Sequence, residues 1–173
     1  MSPAQSPFEA VLGDRFGQLH PTLQEYFSAI PAGGAGIGEG VFDTVGTPRR
    51  WLHPILRLFV PKDVLFGVWE RDVPFTVINT PVREGGRSAV AGERVFALTQ
   101  GDRVMRDLMV ATPEGIVDIM GKQRRFRALF AAHVIDGDRQ HVSVSVRVPI
   151  LGTVYEYAGS FRYDRKAVAP CGS

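Results

Sequence analysis

The sequence predicts a mainly β (α+β) protein: a curved antiparallel sheet or calycin-like β-barrel of about eight or nine strands, with short helices at its N-terminal end. Three observations carry this. The first is a hairpin from His141 to Tyr163. Val142, Val144, Val146 and Val148 alternate with Ser143, Ser145 and Arg147, and after Pro149-Ile150-Leu151-Gly152 a second run sets Tyr155, Tyr157, Gly159 and Phe161 against Glu156, Ala158, Ser160 and Arg162. Period-two patterning marks paired strands with one wet face. It also sets register, because a slip of one residue exposes the valines and buries Arg147 and Arg162. The second observation is that strand-like runs and turns succeed one another from Val64 onward. The third is that helical spacing of apolar residues is confined to the stretch before Val60. A meander of this kind must close or cover its edges. A calycin-like barrel and a helix-grip cup both do so. The cup ends in a long helix, for which this chain has no candidate, and that favours the barrel.

Taken in order, Ser2 to Pro7 reads as a disordered lead within residues 1–7, and residues 8–165 as one β-rich domain. Phe8 to Leu12 suits a short helix ended by Gly13. His20 to Ile30 suits a better one, with Leu23, Tyr26, Phe27 and Ile30 on one face, Pro21 in the first turn and Pro31 as the stop. Gly33, Gly34, Gly36, Gly38 and Gly40 are not a phosphate-binding loop, since no strong strand precedes them and no Lys-Ser/Thr follows. They read as a flexible entry into a glycine-rich strand over Gly38 to Val45. Arg49 to Val60 fits a short amphipathic helix with Trp51, Ile55, Leu58 and Phe59 inward and Pro54 shortening it. The strands that follow are predicted at Leu65–Arg71, Phe75–Pro81, Ala89–Leu98, Val104–Ala111, Gly115–Met120, Phe126–Ile135, His141–Val148 and Val154–Tyr163, with Trp69 in the core. Glu84-Gly85-Gly86, Gln100-Gly101-Asp102, Thr112-Pro113-Glu114-Gly115 and Asp136-Gly137-Asp138 punctuate them. Residues 166–173 read as a flexible tail.

Composition narrows the function classes. A chain of 173 residues with 45% hydrophobic and 10% aromatic content builds its own core without staples. The net charge is only +2 and the pI near 8.9. The basic residues are nearly all arginine, Lys62, Lys122 and Lys166 being the exceptions. Cys171 is the only cysteine, so no internal disulfide forms. No transmembrane segment is expected, because no apolar run is long enough, and Met1 to Pro7 lacks the pattern of a signal peptide. A cytoplasmic location follows as the expectation.

No motif names a reaction. His20, His53, His133 and His141 lack metal-ligand spacing, and no metal or cofactor is expected. Ser143 and Ser145 lie on the wet face, with no nucleophile elbow. Cys171 has no positioned base. Glu114, Asp118, Asp136 and Asp138 form no evident catalytic pair. The basic run Lys122 to Arg127 reads as a solvated loop, so no nucleic acid is expected. What stands out is charge on apolar faces. Arg94 alternates in phase with Phe96 and Leu98, Arg106 with Val104, Leu108 and Val110, Asp118 with Ile116 and Met120, and His133 with Leu129, Ala131 and Ile135. Such groups are costly unless paired. With Tyr157 they make the candidate ligand-binding set: a polar anchor at the bottom of an apolar cavity, orienting a carboxylate or phosphate head group. The alternative is a structural ion pair, or side chains snorkelling to a rim.

Three stretches carry a resemblance: Gly92-Glu93-Arg94-Val95-Phe96 followed by Arg103-Val104-Met105; Gly115-Ile116-Val117-Asp118-Ile119-Met120-Gly121; and Val148-Pro149-Ile150-Leu151-Gly152 leading to Tyr157-Ala158-Gly159-Ser160-Phe161. With Leu12-Gly13 and Leu19-His20-Pro21, they resemble bacterial domain-of-unknown-function family 4166, which occurs alone or fused to saccharopine-dehydrogenase-like modules. The resemblance runs from Phe8 to Tyr163 and looks shortened at Val134 to His141. It implies a compact β-rich accessory domain and supplies no mechanism.

Three functions stay open on the sequence. One is non-catalytic binding of an apolar or amphipathic small molecule inside the sheet. Small residues (Gly92, Ala128, Ala132, Gly159) would leave it room, and Trp69, Phe96, Phe130 and Tyr157 would fill it. Another is an interaction domain that docks a partner domain or a second copy. The last is an enzyme that uses the Arg/Asp cluster.

Overall fold

The computed structural model describes residues 5–59, 65–120, 124–125, 129–148 and 151–167. Within them the chain runs α1 (Pro7–Leu12), a 3-10 turn (Gly13–Gln18), α2 (Pro21–Phe27), β1 (Gly34–Gly46), α3 (Leu52–Phe59), β2 (Trp69–Glu84), β3 (Arg87–Phe96), β4 (Arg103–Thr112), β5 (Gly115–Met120), β6 (Arg124–Arg125), β7 (Leu129–Asp136), β8 (Arg139–Val148) and β9 (Gly152–Ala167). The strands form one antiparallel sheet in the order β6-β5-β4-β3-β2-β1-β9-β8-β7. β1 is therefore an interior strand, paired with β2 on one side and β9 on the other. Each arm then grows by hairpins. The β2–β3 hairpin turns on Gly85 and Gly86, whose φ values of 55° and 78° match the twist of a tight two-residue loop.

The sheet curls into a half-barrel rather than the closed calycin-like barrel, and among the described residues no ladder joins β6 to β7. Two irregularities mark the bend. The β1–β9 ladder shifts between Phe42 and Thr44, and the β8–β9 ladder shifts between Val146 and Arg147. Bulges of this kind strengthen local twist and bend a strand.

The core lies on the concave side. Phe42 stacks on Phe75 with ring centroids 3.6 Å apart, Phe66 meets Tyr155 edge-on at 5.4 Å, and Phe96, Tyr157, Phe161 and Met105 are buried around them. The hairpin β8–β9 contributes as predicted, with Val144, Val146, Tyr155, Tyr157 and Phe161 buried. The glycines of β1 explain how so many rings fit. A methyl on Gly36 would strike the Tyr163 hydroxyl, one on Gly38 would meet Val77 and Phe161, and one on Gly40 would meet Ser160 and Phe161. The glycine run thus belongs to the strand, which begins at Gly34, and it serves as a bare floor for aromatic side chains rather than a flexible entry.

Several other elements differ from expectation. Ser6, inside the stretch read as a lead, caps α1. Its Oγ accepts from the Glu9 N–H at 3.0 Å, its own N–H donates to Glu9 Oε2 at 2.7 Å, and its hydroxyl donates to the Phe27 carbonyl, which ties α1 to α2. The two strands predicted on either side of Asp72–Pro74 are one strand, β2. Asp72 takes a φ of 52° within it, and the Pro74 carbonyl accepts from the Ala97 N–H. Trp69 is not in the core; it is 37% exposed. Helix α3 turns Leu52 and Leu56 inward and leaves Ile55 and Leu58 outside, with Trp51 just before it also exposed, while the side chain of Phe59 lies outside the described residues. Cys171 and the tail beyond Ala167 lie outside the described residues. No helix among those described is long and apolar enough to cross a membrane.

Candidate functional site

Polar side chains gather on the concave face where β2, β3, β4 and β5 lie side by side. Pairing sets their facing. Asp107 lies opposite Gly92, Gly92 opposite Asn79, and Arg94 opposite Met105. Directly opposed residues share a face, so Asp107, Asn79, Arg94 and Met105 all point inward. Asp118 lies opposite Met109, two residues along β4 from Asp107, and points the same way. From the other side α2 presents Tyr26, whose ring packs edge-on against Phe161 at 5.6 Å and Tyr163 at 4.6 Å.

Arg94 pairs with Asp107, and both side chains are largely withdrawn from water. The Tyr26 hydroxyl lies within hydrogen-bonding reach of Asn79 and Arg94. The Asn79 amide donates to the Tyr163 hydroxyl at 3.4 Å. Burial alone would lower the Arg94 pKa, but the Asp107 carboxylate beside it, with Tyr157, Tyr26 and Asp118 further off, holds it well above its ordinary value. Burial pushes the Asp118 carboxyl up to about 7; the Asp107 charge adds to this and Arg94 partly opposes it. Tyr157 is raised by burial, and the Tyr163 hydroxyl is pushed up to about 12, again chiefly by burial. These tyrosines are neutral donors at any ordinary pH.

Three acceptor oxygens in this cluster are buried and have no hydrogen-bond partner among the described residues: Asn79 Oδ1, Asp107 Oδ1 and Asp118 Oδ1. Gly92 makes the space for one of them, since a methyl there would collide with Asp107 Oδ1.

Of the residues singled out in the sequence, Arg94, Asp118 and Tyr157 come together here. Arg106 does not. It lies on the convex face, exposed, with its Nε donating to Glu93 Oε2 at 2.8 Å across the β3–β4 ladder. The facing of β4 is the reverse of the expected one: Met105 and Asp107 face in, and Arg106 faces out. His133 is placed in β7 opposite Val142, and its side chain lies outside what the structure describes. Asp107, Asn79, Tyr26 and Tyr163 were missed as members. Tyr163 lies two residues beyond Phe161, so the alternation of β9 carried a signal for it, whereas Asp107 shares parity with Met105 and Met109 in a strand whose other parity is equally apolar. Among the described residues no group of three or more His, Cys, Asp and Glu is placed to hold a metal ion.

A family model described as a domain of unknown function, DUF4166, matches residues 19–139. The match takes in Tyr26, Asn79, Arg94, Asp107 and Asp118, and leaves Tyr157 and Tyr163 beyond its end. No curated protein and no solved structure matches the chain. With well over half of its residues matched, the chain belongs to the DUF4166 family of domains of unknown function.

Proposed function

We propose that this domain is a non-catalytic binding module, working in the cytoplasm, whose concave face takes a small amphipathic molecule by its polar end. The observation that carries the reading is the trio of unpartnered acceptors, Asn79 Oδ1, Asp107 Oδ1 and Asp118 Oδ1. A buried acceptor without a donor costs about 1–3 kcal/mol, and folded proteins keep few of them. Their chemistry also chooses the ligand class. The Arg94 charge is already met by Asp107, so the site is not waiting for a carboxylate or phosphate. It calls for hydrogen-bond donors: a hydroxyl, amide or ammonium end. The half-buried Met109 and Ile116, which share the face with Asp118, offer an apolar flank beside it.

Native mass spectrometry of the intact protein, followed by thermal-shift titration with a long-chain amine, alcohol and carboxylate, tests this. The amine or alcohol is expected to raise Tm and the carboxylate to leave it unchanged, with the shift reduced in Asn79→Leu. The reading is overturned if none of the three probes shifts Tm and no adduct is carried from the cell. A second reading, an enzyme using Asp118 as a proton carrier, is favoured by a carboxyl held near 7, in the range where one side chain both gives and takes protons.

A further inference from the structure

The opposite kind of surface occurs on α3. Leu52 and Leu56 are buried in the core, and the helix is fixed there. His53 Nε2 lies 3.0 Å from the Thr47 carbonyl oxygen, and the absence of a side chain at Gly67 lets the His53 backbone lie against it. A second apolar stripe, running from Trp51 just before the helix to Ile55 and Leu58 within it, is left uncovered among the described residues. Trp51, Ile55 and Leu58, spaced i, i+4, i+7 on one face, are 53%, 42% and 76% exposed. Arg49, Arg50 and Arg57 flank them, all exposed, and from Arg49 to Phe59 the chain carries no acidic residue.

We propose that α3 docks on an anionic lipid surface, with Trp51, Ile55 and Leu58 entering the boundary between headgroups and acyl chains and the three arginines meeting lipid phosphates. Two arguments favour a lipid surface over a protein partner. Eight residues of helix are about 12 Å long. Three side chains on so short a rod bury far less than the roughly 800 Å² per partner of a stable protein interface. A bilayer needs only shallow insertion, and the arginines supply the remainder by attraction to negative lipids. The composition also matches: an indole and two branched aliphatics on one side, guanidinium groups on the flanks, a pattern suited to the interface between water and hydrocarbon.

The test is co-sedimentation of the full chain with vesicles of phosphatidylcholine containing phosphatidylglycerol, compared with phosphatidylcholine alone. Trp51 emission is followed in parallel in a Trp69→Phe background. Binding to the anionic vesicles with a blue shift is expected, weakened about fivefold by Arg50→Gln and by raised salt. Ile55→Glu with Leu58→Glu is expected to abolish it. Both positions are on the surface, so the fold tolerates the change, and circular dichroism and the melting temperature confirm that. Equal binding to both vesicle types, no binding to either, or binding unaffected by the double change each overturns the proposal. So does a concentration-dependent dimer that the double change dissolves while vesicle binding is absent, which would assign the stripe to a second copy of the chain.

Discussion

Asp107 reaches Arg94 on the diagonal of the β3–β4 ladder: the residue directly opposite Asp107 is Gly92, and Arg94 stands two places further along β3. Diagonal neighbours on one face lie about 7–8 Å apart at the backbone, within reach of a long guanidinium arm. The bare Cα of Gly92 lets the carboxylate lean across. Removing either charge leaves the other stranded in a poorly hydrated place. Arg94→Met is therefore expected to cost about 3–5 kcal/mol in urea denaturation, and the double change with Asp107→Leu to recover most of that. Equal losses for the single and double variants would mean that packing, not charge, is what Arg94 contributes.

Gly92→Ala tests the cradle. Its methyl would displace Asp107 Oδ1 and loosen the ion pair, for a loss of about 1–3 kcal/mol. Gly17→Ala, where nothing lies within 4 Å of the added carbon, is expected to stay within about 0.5 kcal/mol of the parent. Melting curves of the two variants side by side make the comparison.

Asp118 gives the fold a pH dependence of definite sign. Its folded pKa, about 7, lies above the unfolded value, so the folded state holds the proton more tightly. Stability from this group is fully present below the unfolded pKa and is lost as pH rises through 7. Each unit of displacement is worth about 1.4 kcal/mol, and partial exposure of Asp118 trims the total, so a loss on the order of 2 kcal/mol between pH 5 and 8 is expected. Asp118→Asn should flatten that slope. A parent protein equally stable at both pH values would show that the carboxyl titrates in its ordinary range.

The β8–β9 hairpin has a clear inside. Val146→Ala removes two methyl groups from a site 3% exposed and is expected to cost about 1–3 kcal/mol by chemical denaturation. Val134→Ala, on a residue 63% exposed, should change stability by less than about 0.5 kcal/mol. The reverse order would invert the facing of the arm.

Strong alternation was legible and weak alternation was not. In β8 and β9 one parity is valine and aromatic and the other is polar, so burial admits one answer, and Val144, Val146, Tyr155, Tyr157 and Phe161 are buried as the pattern requires. In β4 both parities are apolar: Val104, Leu108 and Val110 on one, Met105, Met109 and Ala111 on the other. With no local preference between them, Arg106 was given the place that belongs to Asp107. Helix α3 poses the same ambiguity at helical period, since Leu52 with Leu56 and Trp51 with Ile55 and Leu58 are both competent faces.

By itself, then, the sequence determined the β class, the position of most hairpins and the presence of a charge problem around Arg94 and Asp118, because these depend on period, turn chemistry and the cost of burying charge. Only the tertiary structure decided that the sheet stays an open half-barrel, that Asp107 answers Arg94, and that Tyr26 and Asn79 complete the cluster. Those outcomes depend on ladder register between strands and on which helix covers the concave face. Both are set by contacts between residues far apart in the chain, and short-range patterning carries no term for them.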